Sequence, residues 1–361
     1  MKGFIIASTV LFCAGVVHAD VNDIQEAKRN GTNALFSYAQ KMEKAKKFEE
    51  AVDAYREIAS SEKNVLRIQE ALIKSAQAKV KVNLNDIGGA VNDLNKVLET
   101  KKSDPKTGVA NHMTAVTRLS QIYAGRLNDY SAAIRLIDEF LADETIAPAN
   151  RKRLIQTKEN LLRGQVNSLV AAKKYEEARK MAAENLKKMP GAASTASCVN
   201  VEMAYSKKFT AGKQYDEADR ILRAAAQTKG INPRQRWLIQ ECLLQNQMSK
   251  KDFAAAAKEL DQLKKMPGGT KSGIVYAEVR FLLASGKNEE AIALLVQSAQ
   301  DTSFNRKERG NFYSSAALNT ISKLKDIKRA EEYYAQAKSL LGGKYKNAQV
   351  EKQLQFWKKK L

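Results

Sequence analysis

The sequence predicts an all-α chain, an α-solenoid of about eight antiparallel helix pairs. Three observations carry this. A motif of one large residue, two further residues and an alanine recurs at Phe48–Ala51, Tyr130–Ala133, Tyr175–Ala178, Tyr215–Ala218 and Phe253–Ala256. Weaker copies stand at Ile87–Ala90, Asn288–Ala291 and Ile327–Ala330, and successive alanines lie 35 to 45 residues apart. A period of that size signals stacked repeats sharing one continuous core rather than separate globular domains. The apolar residues between the motifs are spaced three and four apart, the helical period. Only five prolines occur in 361 residues, and no stretch alternates apolar and polar residues as a strand would.

The first element is residues 1–19, MKGFIIASTVLFCAGVVHA, which read as a signal peptide. Lys2 supplies a basic start, Phe4 to Val17 is apolar, and Val17-His18-Ala19 fits a small-residue cleavage site before Asp20. The apolar run is short for a membrane span. An uncleaved anchor is one alternative. A lipoprotein modified at Cys13 is another, although Phe12 is bulky where such sites want a small residue. The chain is thus expected to be exported, to a periplasm or the extracellular space. Residues 20–342 read as the repeat array and 343–361 as a basic C-terminal capping helix.

Each repeat reads as a helix A, a polar turn, and a shorter helix B that opens at the motif. Helix A of the first unit carries Leu35, Tyr38, Ala39 and Met42, and that of the seventh carries Val275, Val279, Leu282 and Leu283. The motif alanine has a physical reason: a small side chain lets helices A and B approach closely. The acids of FEEA, YEEA, YDEA and NEEA then fall in the first turn of helix B, where the helix dipole favours negative charge. The near-identical NLKKMPG at 185–191 and QLKKMPG at 262–268 read as ends of helices B. Their lysines suit the last turn, and Pro and Gly stop the helix. Gly- and Pro-bearing loops separate the units, and in INP Asn232 is a plausible N-cap with Pro233 at the first helical position. At the end of the chain Leu354, Trp357 and Leu361 share one helical face, as a capping helix requires.

On the strength of the large-x-x-Ala motif and the upstream helix A pattern, residues 30–340 resemble the tetratricopeptide repeat (TPR) family. The units run longer than that family's usual 34 residues, and the large residue opening helix A is mostly Leu or Val, as at Leu35, Leu162 and Val275. The resemblance implies a TPR-like superhelix with degenerate, long helices; a different helix-pair solenoid is the alternative. It also implies that helices A line a concave groove holding a peptide of another protein. The groove positions it nominates are Arg163, Asn167, Asn200, Lys207, Gln245, Tyr276 and Arg280. Arg163 and Asn167, four apart on one helix, resemble half of the family's carboxylate clamp; Ala204, Leu238 and Cys242 stand at further clamp positions and leave it incomplete.

Catalytic signals are few, and no enzyme is expected. His112 would be the one histidine left after signal cleavage, and it reads as a cap or surface residue. Cysteine and histidine at zinc-ligand spacing are absent, so no metal or cofactor is expected. GGTKSG at 268–273 lacks the Gly spacing and Gly-Lys-Ser order of a phosphate loop and reads as a turn between units. Cys198 and Cys242 lie on adjacent helices A about six positions out of register, which favours two free, buried thiols over a bridge.

Charge is the unusual feature. Sixty-one Lys and Arg face forty acids, a formal charge of +21. Seven of the eight A–B turns hold a cation, giving a basic edge that includes Lys47, Arg126, Lys174, Lys213, Lys251, Lys287 and Lys325. A second basic set, NRKR at 150–153, NPRQR at 232–236 and NRKER at 305–309, opens three helices A. Cations there oppose the dipole and need compensation, by a bound anion or a partner's carboxylate if not by solvent. Two readings follow. One is an exported, non-catalytic scaffold for protein partners. The other is a polyanion-binding module for envelope polymers or anionic membrane surfaces. Specific nucleic-acid binding is not expected, because aromatics are only 7% and form no stacking platform.

Overall fold

The structure is a computed structural model that describes residues 24–81, 84–103 and 108–360, with the side chains of 101–103 left aside. The signal-like segment with Cys13 and the cleavage site, and the terminal Leu361, lie outside the described residues. Helices A of the eight pairs are α1 Thr32–Lys44, α3 Val65–Lys79, α5 Val109–Gly125, α7 Pro148–Ala171, α9 Ala192–Ala211, α11 Pro233–Lys250, α13 Lys271–Ala284 and α15 Arg306–Asn319. Helices B are α2 Phe48–Ser61, α4 Ile87–Ser103, α6 Tyr130–Leu141, α8 Tyr175–Lys188, α10 Tyr215–Ala226, α12 Phe253–Lys265, α14 Asn288–Gln300 and α16 Ile327–Leu341. A π-helical turn, Thr320–Leu324, extends α15, and α17 Ala348–Lys358 closes the chain. No strand occurs among the described residues.

Every helix B begins on the large residue of its motif, three residues ahead of the alanine. That start places Glu49 and Glu50, Glu176 and Glu177, Asp216 and Glu217, and Glu289 and Glu290 in first turns. All eight motif alanines are fully buried at 0% exposure. A methyl there lets helices A and B approach closely. The weak copies at Ala90, Ala291 and Ala330 are as buried as the strong ones, so they are true repeats.

The chain divides into two compact units that meet between Gln165 and Val166, within α7. In the first unit the opening pair packs Leu35, Tyr38, Ala39 and Met42 against Ala51, Tyr55 and Ile58. Leu94, Val97, Leu119 and Ile122 continue the core, followed by Val116, Ile137, Leu154 and Leu161. In the second unit the same stacking runs through Val199, Leu222 and Leu243, then Trp237, Leu244 and Leu263, then Val279, Leu295 and Phe312. Val350 and Leu354 of α17 cover Ile321, Ala330 and Ala337, and half-buried Trp357 packs on the same cluster. The C-terminal helix thus shields the last pair, which would otherwise expose its apolar face.

Polar groups lock some pairs. Lys79 and Asp93, 3% and 4% exposed, form an ion pair at 2.6 Å, and Ser75 donates to the same carboxylate oxygen at 2.6 Å. Asp219 accepts from Asn246 at 2.8 Å and Gln247 at 2.6 Å, tying α10 to α11. Glu259 accepts from Arg223 at 2.6 Å and from Gln240 at 2.5 Å. Each carboxylate is hydrogen-bonded, as its burial demands.

Two sequence readings need correction. His112 is not a cap or surface residue. It is 2% exposed, with Nε2 3.0 Å from Thr100 Oγ1 and 3.2 Å from Gln69 Nε2. The partners come from α3 and α4, so the local sequence could not reveal them. Cys198 and Cys242 are free but half-buried rather than buried, and desolvation pushes both thiols above the ordinary cysteine pKa. Asn232 caps α11 as expected, in a capping box with Gln235 behind Pro233.

Candidate functional site

The helix A faces present most of the nominated groove positions to solvent. Asn200 and Lys207 of α9, Gln245 of α11, and Arg163 and Asn167 of α7 are exposed. Arg163 donates to Asn160 of its own helix at 2.9 Å. The other two nominees are engaged within the chain, Arg280 while still exposed. Tyr276 is half-buried, its ring centroid 5.2 Å from that of Phe312, and burial raises its pKa. Arg280 of α13 pairs with Glu241 of α11.

In the first unit the helix A face contains two adjoining cavities. One, about 230 Å³, lies over α3, α4 and α5 with an apolar floor of Ile73, Ala76, Val80, Leu94 and Ile122. Its rim carries Lys81, Arg118 and Arg126 with Gln77 and Gln121. The second, about 620 Å³, lies between α5 and α7 and is lined by Val109, Met113, Thr114, Thr117, Asn150 and Arg153 among others. Arg118 and Gln121 line both. Among the described residues neither lining contains a carboxylate. The sequence held a signal for this site. Arg118 stands fifteen residues before Ala133, the offset of Arg163 before Ala178 and of Tyr276 before Ala291.

The basic edge has a backbone cause. In all eight A–B turns the residue five before the motif alanine has positive φ: Lys46, Asn85, Asn128, Lys173, Lys213, Lys251, Gly286 and Lys325, between 47° and 81°. This left-handed residue ends helix A and turns the chain into helix B. Eight turns at one offset, together with eight buried alanines, fix the register of the repeat. The chain is a TPR-like array of helix pairs. Lys47, Lys174 and Lys287 follow the left-handed residue and pair with the acid three residues on: Glu50 at 3.8 Å, Glu177 at 3.4 Å and Glu290 at 3.1 Å. Lys213 and Lys251 occupy the left-handed position itself.

No protein-family model matches the chain, and no curated protein matches it. Solved structures similar to it include a tetratricopeptide repeat protein from Parabacteroides merdae, 14% identical, with a TM-score of 0.39 over 80% of this chain and 98% of that one. The TPR2AB domain of yeast Sti1 in its pHSP90 complex is 13% identical, with a TM-score of 0.31 over 85% and 98%. The human IFIT1 dimer with PPP-AAAA is 15% identical, with a TM-score of 0.36 over 96% and 88%. Likeness at this level carries nothing across to this chain; the TPR-like reading rests on the chain's own register and packing.

Four of the arginines opening helices A are compensated within the chain. Arg151 donates to the carbonyls of Leu141 at 2.7 Å and Asp143 at 2.8 Å, at the end of α6. Arg309 donates to Ala299 O at 2.8 Å near the end of α14, and Arg306 to Ser339 O at 3.1 Å near the end of α16. Arg234 reaches Gly268 O at 3.2 Å, just past α12, and lies over the Trp237 ring at 4.9 Å. These side chains leave their own helix starts and satisfy the orphan carbonyls where helices B end. These four call for no bound anion.

GGTKSG wraps Trp237. A Cβ on Gly269 would lie 2.2 Å from the indole nitrogen, and one on Gly268, at φ +98°, 2.5 Å from Pro233 backbone. Among the described residues no group of three or more His, Cys, Asp or Glu side chains could hold a metal ion, and no helix is long and apolar enough to cross a membrane.

Proposed function

We propose that this protein is an exported, non-catalytic scaffold that binds protein partners on its helix A faces. One observation carries the reading: the helices A keep polar side chains exposed at repeated offsets, among them Arg163, Asn167, Asn200, Lys207 and Gln245, and frame open cavities. A repeated helix face of this kind suits an extended segment of another protein. The signal-like N-terminus supports export, with cleavage before Asp20. The basic edge supports the polyanion reading less well, because three of its lysines are already paired with acids and the turns explain the rest.

The test is capture from an envelope fraction by the mature chain, washed at low and then high salt. Wild type is compared with Arg163, Asn167 and Lys207 all changed to Ala, and with Lys174, Lys213 and Lys251 all changed to Ala. The expected result is loss in the helix A variant and retention in the edge variant. Loss in the edge variant alone, with binding that falls steeply with salt, would replace this reading by polyanion binding.

A further inference from the structure

We propose that the paired cavities of the first unit receive an extended acidic segment of a protein partner, with carboxylates on Arg118 and Arg153 and an apolar side chain over Leu94 and Ile122. This deepens the scaffold reading and rests on it.

Compensation elsewhere in the chain is the first argument. Arg179 is paired with Glu202, Arg223 with Glu259, Arg280 with Glu241 and Arg329 with Glu289. Arg151 and Arg309 are spent on helix-end carbonyls. Around the two cavities, as at Arg135 and Arg236, no acid plays this part among the described residues, and here several such cations share one lining. Among the described residues Arg118 hydrogen-bonds Gln121 alone, at a long 3.5 Å, and Arg126 reaches the Val80 carbonyl at 3.3 Å. Lys81, Arg118, Arg126 and Arg153 make no ion pair among the described residues. Like charges gathered without counter-charge repel one another, and an acidic ligand relieves that repulsion.

Shape is the second argument. Val109 to Arg126 spans roughly 25 Å along α5 at 1.5 Å per residue, enough for several residues of extended chain at about 3.3 Å each. Arg118 and Gln121, one turn apart, stand on the ridge between the cavities. Gln77, Gln121 and Asn150 offer amides that can both donate to and accept from a peptide backbone. The planar guanidinium of Arg118 suits bidentate recognition of a carboxylate. The apolar floor of the smaller cavity supplies an anchor pocket, so the ligand is acidic with one apolar residue rather than a plain polyanion.

The probe is a labelled twelve-residue peptide in which Glu alternates with Leu, Val and Ala, read by fluorescence anisotropy against the full mature chain. Saturable binding is expected, weakened about tenfold or more when every Glu becomes Gln. Arg118→Gln with Arg153→Gln should lose about tenfold, while Arg118→Lys with Arg153→Lys recovers part of it. Lys174, Lys213 and Lys251 changed to Gln should change it less than twofold. These arginines are exposed, and an unchanged thermal melt confirms that each variant is folded. Absence of saturable binding overturns the proposal. So does equal binding of the Gln peptide, or an edge variant that loses as much as the groove variant. Anionic vesicles or polyphosphate bound as tightly as the peptide, and untouched by the arginine changes, would assign the charge to a surface or polymer instead. If the peptide fails while envelope capture still depends on Arg163, Asn167 and Lys207, this proposal falls and the scaffold reading stands.

Discussion

At the scale of single residues, the left-handed turn position makes a clear test. Lys173 and Lys213 sit at φ 59°, a region that costs a side-chain-bearing residue roughly 1–2 kcal/mol and glycine almost nothing. Lys173→Gly and Lys213→Gly should therefore each raise the stability of the second unit, by roughly 0.5–1 kcal/mol in urea denaturation. Lys213→Val should lower it. A Gly variant less stable than wild type would show that the lysine side chain holds the turn. Glu176 gives a pH test. The Tyr205 hydroxyl donates to its carboxylate and, with Arg179, holds its pKa below the ordinary glutamate value. A lowered folded pKa contributes stability above the ordinary value, and this is lost as pH falls through the lowered one. Tyr205→Phe should move the Glu176 carboxyl titration, followed by NMR, to higher pH. An unmoved titration would mean that the hydroxyl is not its main partner. Residue identity was legible at the motif alanines, because one small side chain makes one contact in every repeat. It was not legible at His112 or Arg118, whose neighbours come from other helices.

At the scale of helix pairs, the buried Lys79–Asp93 contact locks α3 to α4. Lys79→Ala strands a carboxylate that is 4% exposed, and should cost about 3–5 kcal/mol in the first unit. Replacing both residues by Met and Leu removes the stranded charge, and should cost much less in the same urea titration. If the double replacement is as damaging as the single one, packing rather than charge explains the loss. The turn after α12 works through shape. Gly269→Ala drives a methyl into Trp237 and should cost about 1–3 kcal/mol, seen as a lower melting temperature. The helices themselves were legible, since their period, caps and Pro-Gly stops are local. The reach of Arg151, Arg306 and Arg309 was not, because a guanidinium on a long stem finds acceptors ten or more residues away. Hence these three cations at helix starts serve as caps for other helices.

At the scale of the whole molecule, eight motifs in register make eight helix pairs, and the proposed scaffold role places recognition on their helix A faces. The offsets to the motif alanine lead to exposed positions at Arg163, Asn167, Asn200, Lys207 and Gln245, but to a half-buried ring at Tyr276. The cavities beside Arg118 were not legible, since they depend on how three helices pack. Site-specific photocrosslinking in living cells tests the central claim most directly. A photoreactive residue is placed in turn at Gln121, Asn200 and Gln245 on helices A, and at Glu184 and Lys258 on exposed positions of helices B. The account predicts crosslinked partner protein from the helix A positions and none from the helix B positions. Adducts from Glu184 and Lys258, with none from Gln121, Asn200 or Gln245, would contradict it.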